Sequence, residues 1–168
     1  MKGTKGFTLV EILIVVALLG ILAGVVLPTV TDGVMSAKRS ALKQDLQVLR
    51  RFILIYTSHH VEVGPGYAEG NASAAPDEGA FVDQATLAST ASGQTAAPGT
   101  EGFNRGPYLL RIPANSLNSL STIQMLGNDD DFSAEGDDSH GWIYKATTGE
   151  IRADSPGTDI NGARYYDY

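Results

Sequence analysis

The 168 residues carry 19 acidic and 12 basic side chains, a formal charge of −7. An acidic balance without a basic tail argues against nucleic acid as a main partner. No cysteine is present, which excludes a disulfide framework and a thiolate metal site. Once an apolar amino-terminal segment is set apart, the remainder allows one modest domain.

That segment begins behind a short leader, Met1–Gly6, which holds Lys2 and Lys5 and no acid; without it the charge is −9. From Phe7 to Leu27 there are 21 residues and one charge, Glu11. As a helix this run is roughly 32 Å long, enough for a hydrocarbon core of about 30 Å. A secretory signal peptide has a shorter apolar region with its cleavage site beyond it. Here the processing candidate, Gly6, precedes the run, so the run stays in the mature chain. Lys2 and Lys5 favour a cytoplasmic amino terminus, although Lys38, Arg39 and Lys43 on the other flank weaken the count. An unpaired carboxylate in hydrocarbon costs several kcal/mol, so Glu11 requires a partner. An amino group created at Phe7 would serve, from the same chain or from a neighbouring subunit. Gly20, Gly24 and Pro28 repeat every four residues on one helix face. They suit close helix approach with a kink at Pro28, or local melting on assembly.

The helix is expected to continue to about Thr57. Leu42, Leu46, Leu49, Ile53 and Tyr56 follow one another by 4, 3, 4 and 3, a narrow apolar stripe that Phe52 widens. It packs on the chain's own domain or, as the poorer alternative, in a coiled-coil dimer. His59 and His60 are placed at the helix dipole and in solvent, and Gly64-Pro65-Gly66 ends the helix. Residues 67–104 read as a long loop with one short helix at Val82–Ser89. From Gly106 the pattern becomes β. Pro107–Pro113 is a short apolar segment, Ser121–Leu126 a strand, and Trp142–Ala146 with Glu150–Ala153 a hairpin around Thr147-Thr148-Gly149. A sheet of about three strands on the Leu42–Tyr56 stripe buries both apolar faces. The segments are therefore 1–6, leader; 7–30, apolar half-helix; 31–58, amphipathic half-helix; 59–105, connector; and 106–168, β-rich head. The class is α+β.

Two oxygen-rich stretches are candidates for Ca2+, a hard cation that takes carboxylate and carbonyl ligands. The first offers Asp129, Asp131, Asp137 and Asp138, the second Asp154 and Asp159. An EF-hand starting at Asp129 would place Ala134 at the glycine position and His140 at the bidentate acid, so the first stretch is not one. The alternative is a pair of solvated acidic loops. No nucleophile elbow, phosphate-binding loop or His-Glu-x-x-His is present, and the chain reads as a non-enzyme.

Gly6-Phe7-Thr8-Leu9-Val10-Glu11, the apolar run behind it and Pro28 resemble the amino terminus of the type IV pilin and pseudopilin superfamily. The resemblance implies cleavage between Gly6 and Phe7 by a prepilin peptidase, which also methylates Phe7. It further implies pairing of Glu11 with a neighbour's amino terminus and loss of helicity between Gly20 and Pro28 in a filament. The implied fold is the pilin fold, a long amino-terminal helix with a transmembrane inner half, packed on a small antiparallel carboxy-terminal sheet. Gly141-Trp-Ile-Tyr144, Thr148-Gly-Glu-Ile151 and the Tyr-rich tail more loosely resemble G-type (major) pseudopilins of type II secretion, which bind Ca2+ in this region. The implied protein is a single-pass subunit of the inner membrane with its head outside the cytoplasm. It forms a helical homo-oligomer and meets the peptidase, an assembly platform and other pseudopilins. A type IV pilin of a surface filament is the alternative. A tethered binding module that never polymerises would make Glu11 incidental.

Overall fold

The computed structural model describes residues 6–168. Met1–Lys5 and the side chains of 25–32 lie outside that description. Residues 1–38 and 39–168 form two separate compact units.

Helix α1, Leu9–His59, is assigned without a break, positions 20, 24 and 28 included. In the first unit the large apolar side chains from Leu9 to Leu22 are all exposed. Among the described residues no helix is long and apolar enough to cross a membrane. The apolar run with described side chains, Leu9–Gly24, would be roughly 24 Å long at 1.5 Å per residue, short of the hydrocarbon thickness. Part of the span expected over 7–27, from residue 25 onward, lies outside the described side chains.

The second unit is built around the stripe. Leu42, Leu46, Leu49, Phe52, Ile53 and Tyr56 are all buried, as their spacing requires. They meet Trp142, Tyr144 and Ile151 of the sheet in one core. Each such side chain contributes about 1.5–3 kcal/mol when fully buried, so the sheet and the second half of α1 are held by a shared face. The helix ends earlier than its glycines. Thr57 O accepts from His60 N and Glu62 N, both at 3.2 Å, and Val61 and Glu62 adopt left-handed φ of 56° and 62°. The chain has therefore turned before Gly64.

Between helix and sheet the connector is more ordered than its composition implied. Helix α2 spans Glu78–Thr86 rather than Val82–Ser89. Asp77 explains the earlier start, because its carboxylate accepts from Ala80 N at 2.9 Å and caps the first turn. Beyond Leu87 the backbone is extended, and β1 (Ala88–Ser89) pairs antiparallel with β2 (Thr95–Ala96). Asp77→Ala is expected to cost about 1 kcal/mol, seen as a lower urea midpoint, with Asp77→Asn restoring it.

The main sheet has the order β3-β4-β5, from Ile123–Leu126, Trp142–Lys145 and Glu150–Ala153. The hairpin of β4 and β5 is antiparallel, as expected. Strand β3, however, runs parallel to β4, with Ile123 opposite Trp142, so the sheet is mixed and not antiparallel. The acidic stretch 127–141 accounts for the difference, because it is a long return crossover rather than a hairpin turn. Both sheet edges are occupied. Glu78 Oε1 accepts from Ile123 N at 2.8 Å, and a short 3-10 turn at Tyr165–Asp167 lies against β5. Behind the sheet, Ile143, Leu126 and Tyr166 form a second small cluster, so β4 is covered on both faces.

Candidate functional site

The amino-terminal candidates lie just before and within the first turns of α1. Gly6 and Phe7 precede the helix and are exposed, with Phe7 82% accessible. Thr8 is the residue before the first helical position, and it forms a reciprocal cap with Glu11. Thr8 N and Thr8 Oγ1 each donate to Glu11 Oε2 at 2.8 Å. Thr8 Oγ1 in turn accepts from Glu11 N at 3.2 Å. This is a capping box, and it gives Glu11 a partner inside its own chain that the charge-pairing argument did not consider. The signal was present as Thr-x-x-Glu in front of an apolar run. A cut between Gly6 and Phe7 would place the new amino group one residue before Thr8, within the same short segment as the carboxylate. Gly20 and Gly24 have open space where a Cβ would sit, leaving that helix face free for close approach. Pro28 lies outside the described side chains. A helix segment apolar on every side is buried in a core or in lipid, and the large apolar side chains described from Leu9 to Leu22 are all exposed.

The carboxy-terminal candidates do not assemble into one site. Asp154 is fully buried and organises the acidic loop through protein donors. Its Oδ1 accepts from Asp137 N at 2.7 Å, and its Oδ2 from His140 N at 2.8 Å and Ser139 Oγ at 3.2 Å. Asn118 Nδ2 closes the other side, donating to His140 O at 2.7 Å, Asp154 O at 3.0 Å and Asp138 Oδ1 at 3.2 Å. Asp137, Asp138 and Asp154 are thus brought together. Ser139 holds the Asp137 carboxyl below its ordinary range, through its hydroxyl and its N–H at 2.9 Å. Asp131 instead lies 3.5 Å from Lys145, and Asp129 is exposed. Asp159 belongs to a separate turn, accepting from Asn161 N, Ala163 N and Tyr168 OH. The Tyr168 hydrogen bond, first, lowers the Asp159 carboxyl; desolvation, then Asp159, pushes the Tyr168 phenol up to about 12. Among the described residues no group of three or more His, Asp or Glu side chains is arranged to hold a metal ion. The candidate Ca2+ ligands therefore do not fit one coordination sphere.

Two glycines make the loop's closure possible. A Cβ on Gly136 would lie 2.4 Å from Ser155 N, and one on Gly141 would lie 2.1 Å from Leu120 O. Asn118 was not legible as a loop organiser, because asparagine in a Ser-rich stretch has no distinguishing pattern.

His60 departs from its expected place in solvent. It is buried, stacked on Tyr56 with centroids 3.7 Å apart. Its Nδ1 lies 2.7 Å from Tyr56 O and its Nε2 2.9 Å from Ser89 Oγ, which ties the end of α1 to β1. Burial lowers its pKa from 6.5, with Arg105 and His59 adding to the depression. A depressed histidine stabilises the fold fully above its unfolded value and loses that contribution as pH falls toward the folded one. Urea midpoints should therefore fall below about pH 6.5, less steeply in His60→Gln. Equal slopes would remove His60 from the account.

A long amino-terminal helix whose second half packs on a small sheet is an α+β arrangement consistent with a pilin fold. Residues 1–27 match the family model described as the prokaryotic N-terminal methylation motif, and the chain thus carries the type IV pilin and pseudopilin signature. That motif implies processing by a prepilin peptidase and assembly into filaments. No curated protein and no solved structure matches the chain.

Proposed function

We propose that the chain is a structural subunit, most like a major pseudopilin, that polymerises into the pseudopilus of a type II protein secretion system. The observation that carries this reading is the match over residues 1–27, with Gly6, Phe7 and Glu11 in the motif's spacing. The peptidase removes 1–6 and methylates Phe7. The apolar half of α1 then anchors the subunit in the inner membrane, head outside the cytoplasm, until an assembly platform passes it to a filament with its fellow pseudopilins. The subunit is a substrate of enzymes, not one itself. Lack of cysteine and the Trp142–Ala153 hairpin favour a pseudopilus over a surface pilus, the second reading.

Deletion in the source cells separates the two readings. A secretion defect without loss of surface filaments supports the pseudopilus; loss of filaments with secretion intact supports the pilus. Membrane-form chains should begin at methylated Phe7, and Gly6→Val should block the cut by adding bulk at the scissile bond. Assembled material that retains Met1 would overturn both.

A further inference from the structure

The connector holds a motif that processing and assembly do not use, Glu69-Gly70-Asn71-Ala72-Ser73. Asn-x-Ser is the acceptor pattern for N-linked glycan transfer, and here an acid stands two residues before the asparagine. The three residues 71–73 are exposed, on a turn set directly after the short 3-10 helix Ala68–Gly70. Asn71 Oδ1 accepts from Ser73 N at 3.2 Å, and Ala74 N donates to Asn71 O at 3.0 Å. The turn is anchored from behind. Asn128 Nδ2 donates to Ala72 O at 3.3 Å, and Asn128 Oδ1 accepts from Tyr67 OH at 2.6 Å. Among the described residues, neither Asn71 Nδ2 nor Ser73 Oγ has a hydrogen-bond partner. The nucleophile and the hydroxyl an acceptor needs are both free, and the amide carbonyl is held by the Ser73 N–H.

The geometry points to Asn71 as an N-glycan acceptor on the exported head. The donor is a polyprenyl-pyrophosphate-linked oligosaccharide, used by a separate transferase. Asn71 Nδ2 attacks the anomeric carbon of the first sugar, and a C–N bond forms. The anomeric C–O bond breaks, polyprenyl pyrophosphate leaves with the bonding pair, and one amide proton passes to a base of the transferase. No oxidant or metal of this chain takes part. A glycan there would stand on the exposed connector. The assignment rests on the head lying outside the cytoplasm, as proposed above.

The test uses full-length chain isolated from the membranes of its own cells, with peptide mass mapping of Phe52–Arg105. A sugar increment is expected on that peptide in the wild type, lost in both Asn71→Gln and Ser73→Ala, and reduced in Glu69→Ala. These positions are exposed, so melting curves of the variants should overlay the wild type. Protease added to spheroplasts reports the side of the head in parallel. A head that is cut from outside while Asn71 is unmodified overturns the acceptor site alone. A head protected from protease overturns the export reading and the site with it. An increment that persists in Asn71→Gln places the glycan elsewhere and also overturns the site.

Discussion

Glu11→Val is expected to leave membrane insertion intact and to abolish assembly, whereas Glu11→Gln separates the two roles open to this side chain. Valine removes both the charge and the cap. Glutamine can still accept from Thr8 N and Thr8 Oγ1, the bonds that close the box at 2.8 Å, but it cannot pair with a cationic amino terminus. If charge pairing fixes the register of an incoming subunit, Gln should fail nearly as badly as Val. Removing one member of a desolvated ion pair costs about 3–5 kcal/mol, and at about 1.4 kcal/mol per factor of ten the assembly equilibrium drops by at least roughly 100-fold. If the cap alone matters, Gln should assemble like the wild type and Thr8→Ala should be the damaging change. Filament yield per membrane-inserted subunit, quantified by sedimentation, reads all three variants. Wild-type yield from Glu11→Val would mean that neither role aligns subunits.

The capping box also marks what the sequence could deliver. Strong periodicity was decisive where one face is buried: Leu42, Leu46, Leu49, Ile53 and Tyr56 are all in the core. The Trp142 hairpin was legible because an aromatic and β-branched run, Trp142-Ile-Tyr144, and a second short run, Glu150-Ile-Arg-Ala153, flank a glycine-containing turn. The direction of β3 was not, since strand direction depends on where the intervening 127–141 stretch leads, and an acidic, glycine-bearing segment fits a wide range of paths. His60 was misplaced for a related reason. Position after the last helical turn suggested solvent, but its burial is set by Ser89, 29 residues on, which no local pattern connects to it. At the candidate site, Gly6, Phe7 and Glu11 could be named because they stand at fixed positions at the head of the apolar run. The acidic residues could be listed but not grouped, because grouping depends on which backbone N–H each carboxylate meets.

Asp154 is the case where grouping has the largest consequence for stability. Its carboxylate is fully buried and faces three donors, Asp137 N, His140 N and Ser139 Oγ, while its backbone N–H donates to Gly141 O at 3.1 Å. It therefore fixes the last turn before β4, the strand that both apolar clusters share. Asp154→Ala leaves two backbone N–H groups without an acceptor in a part-buried site. At about 1–3 kcal/mol for each donor left unsatisfied, the loss should be about 2–6 kcal/mol, a large share of the 5–15 kcal/mol that stabilises a typical domain. Asp154→Asn should fall between the two, because its amide keeps one acceptor oxygen but turns an NH2 toward a donor. Denaturant midpoints should order as wild type, Asn, Ala. The same melts with millimolar Ca2+ and with chelator should coincide for the wild type, since both oxygens of Asp154 are already taken by protein donors. A Ca2+-dependent rise in the wild type that vanishes in Asp154→Ala would mean an ion displaces those donors. A rise that instead vanishes on Asp159→Ala would move the ion to the separate turn beside Tyr168. An Asp154→Ala chain as stable as the wild type would show that the turn reaches β4 without this carboxylate, leaving Asn118 and the close approaches at Gly136 and Gly141 to hold it.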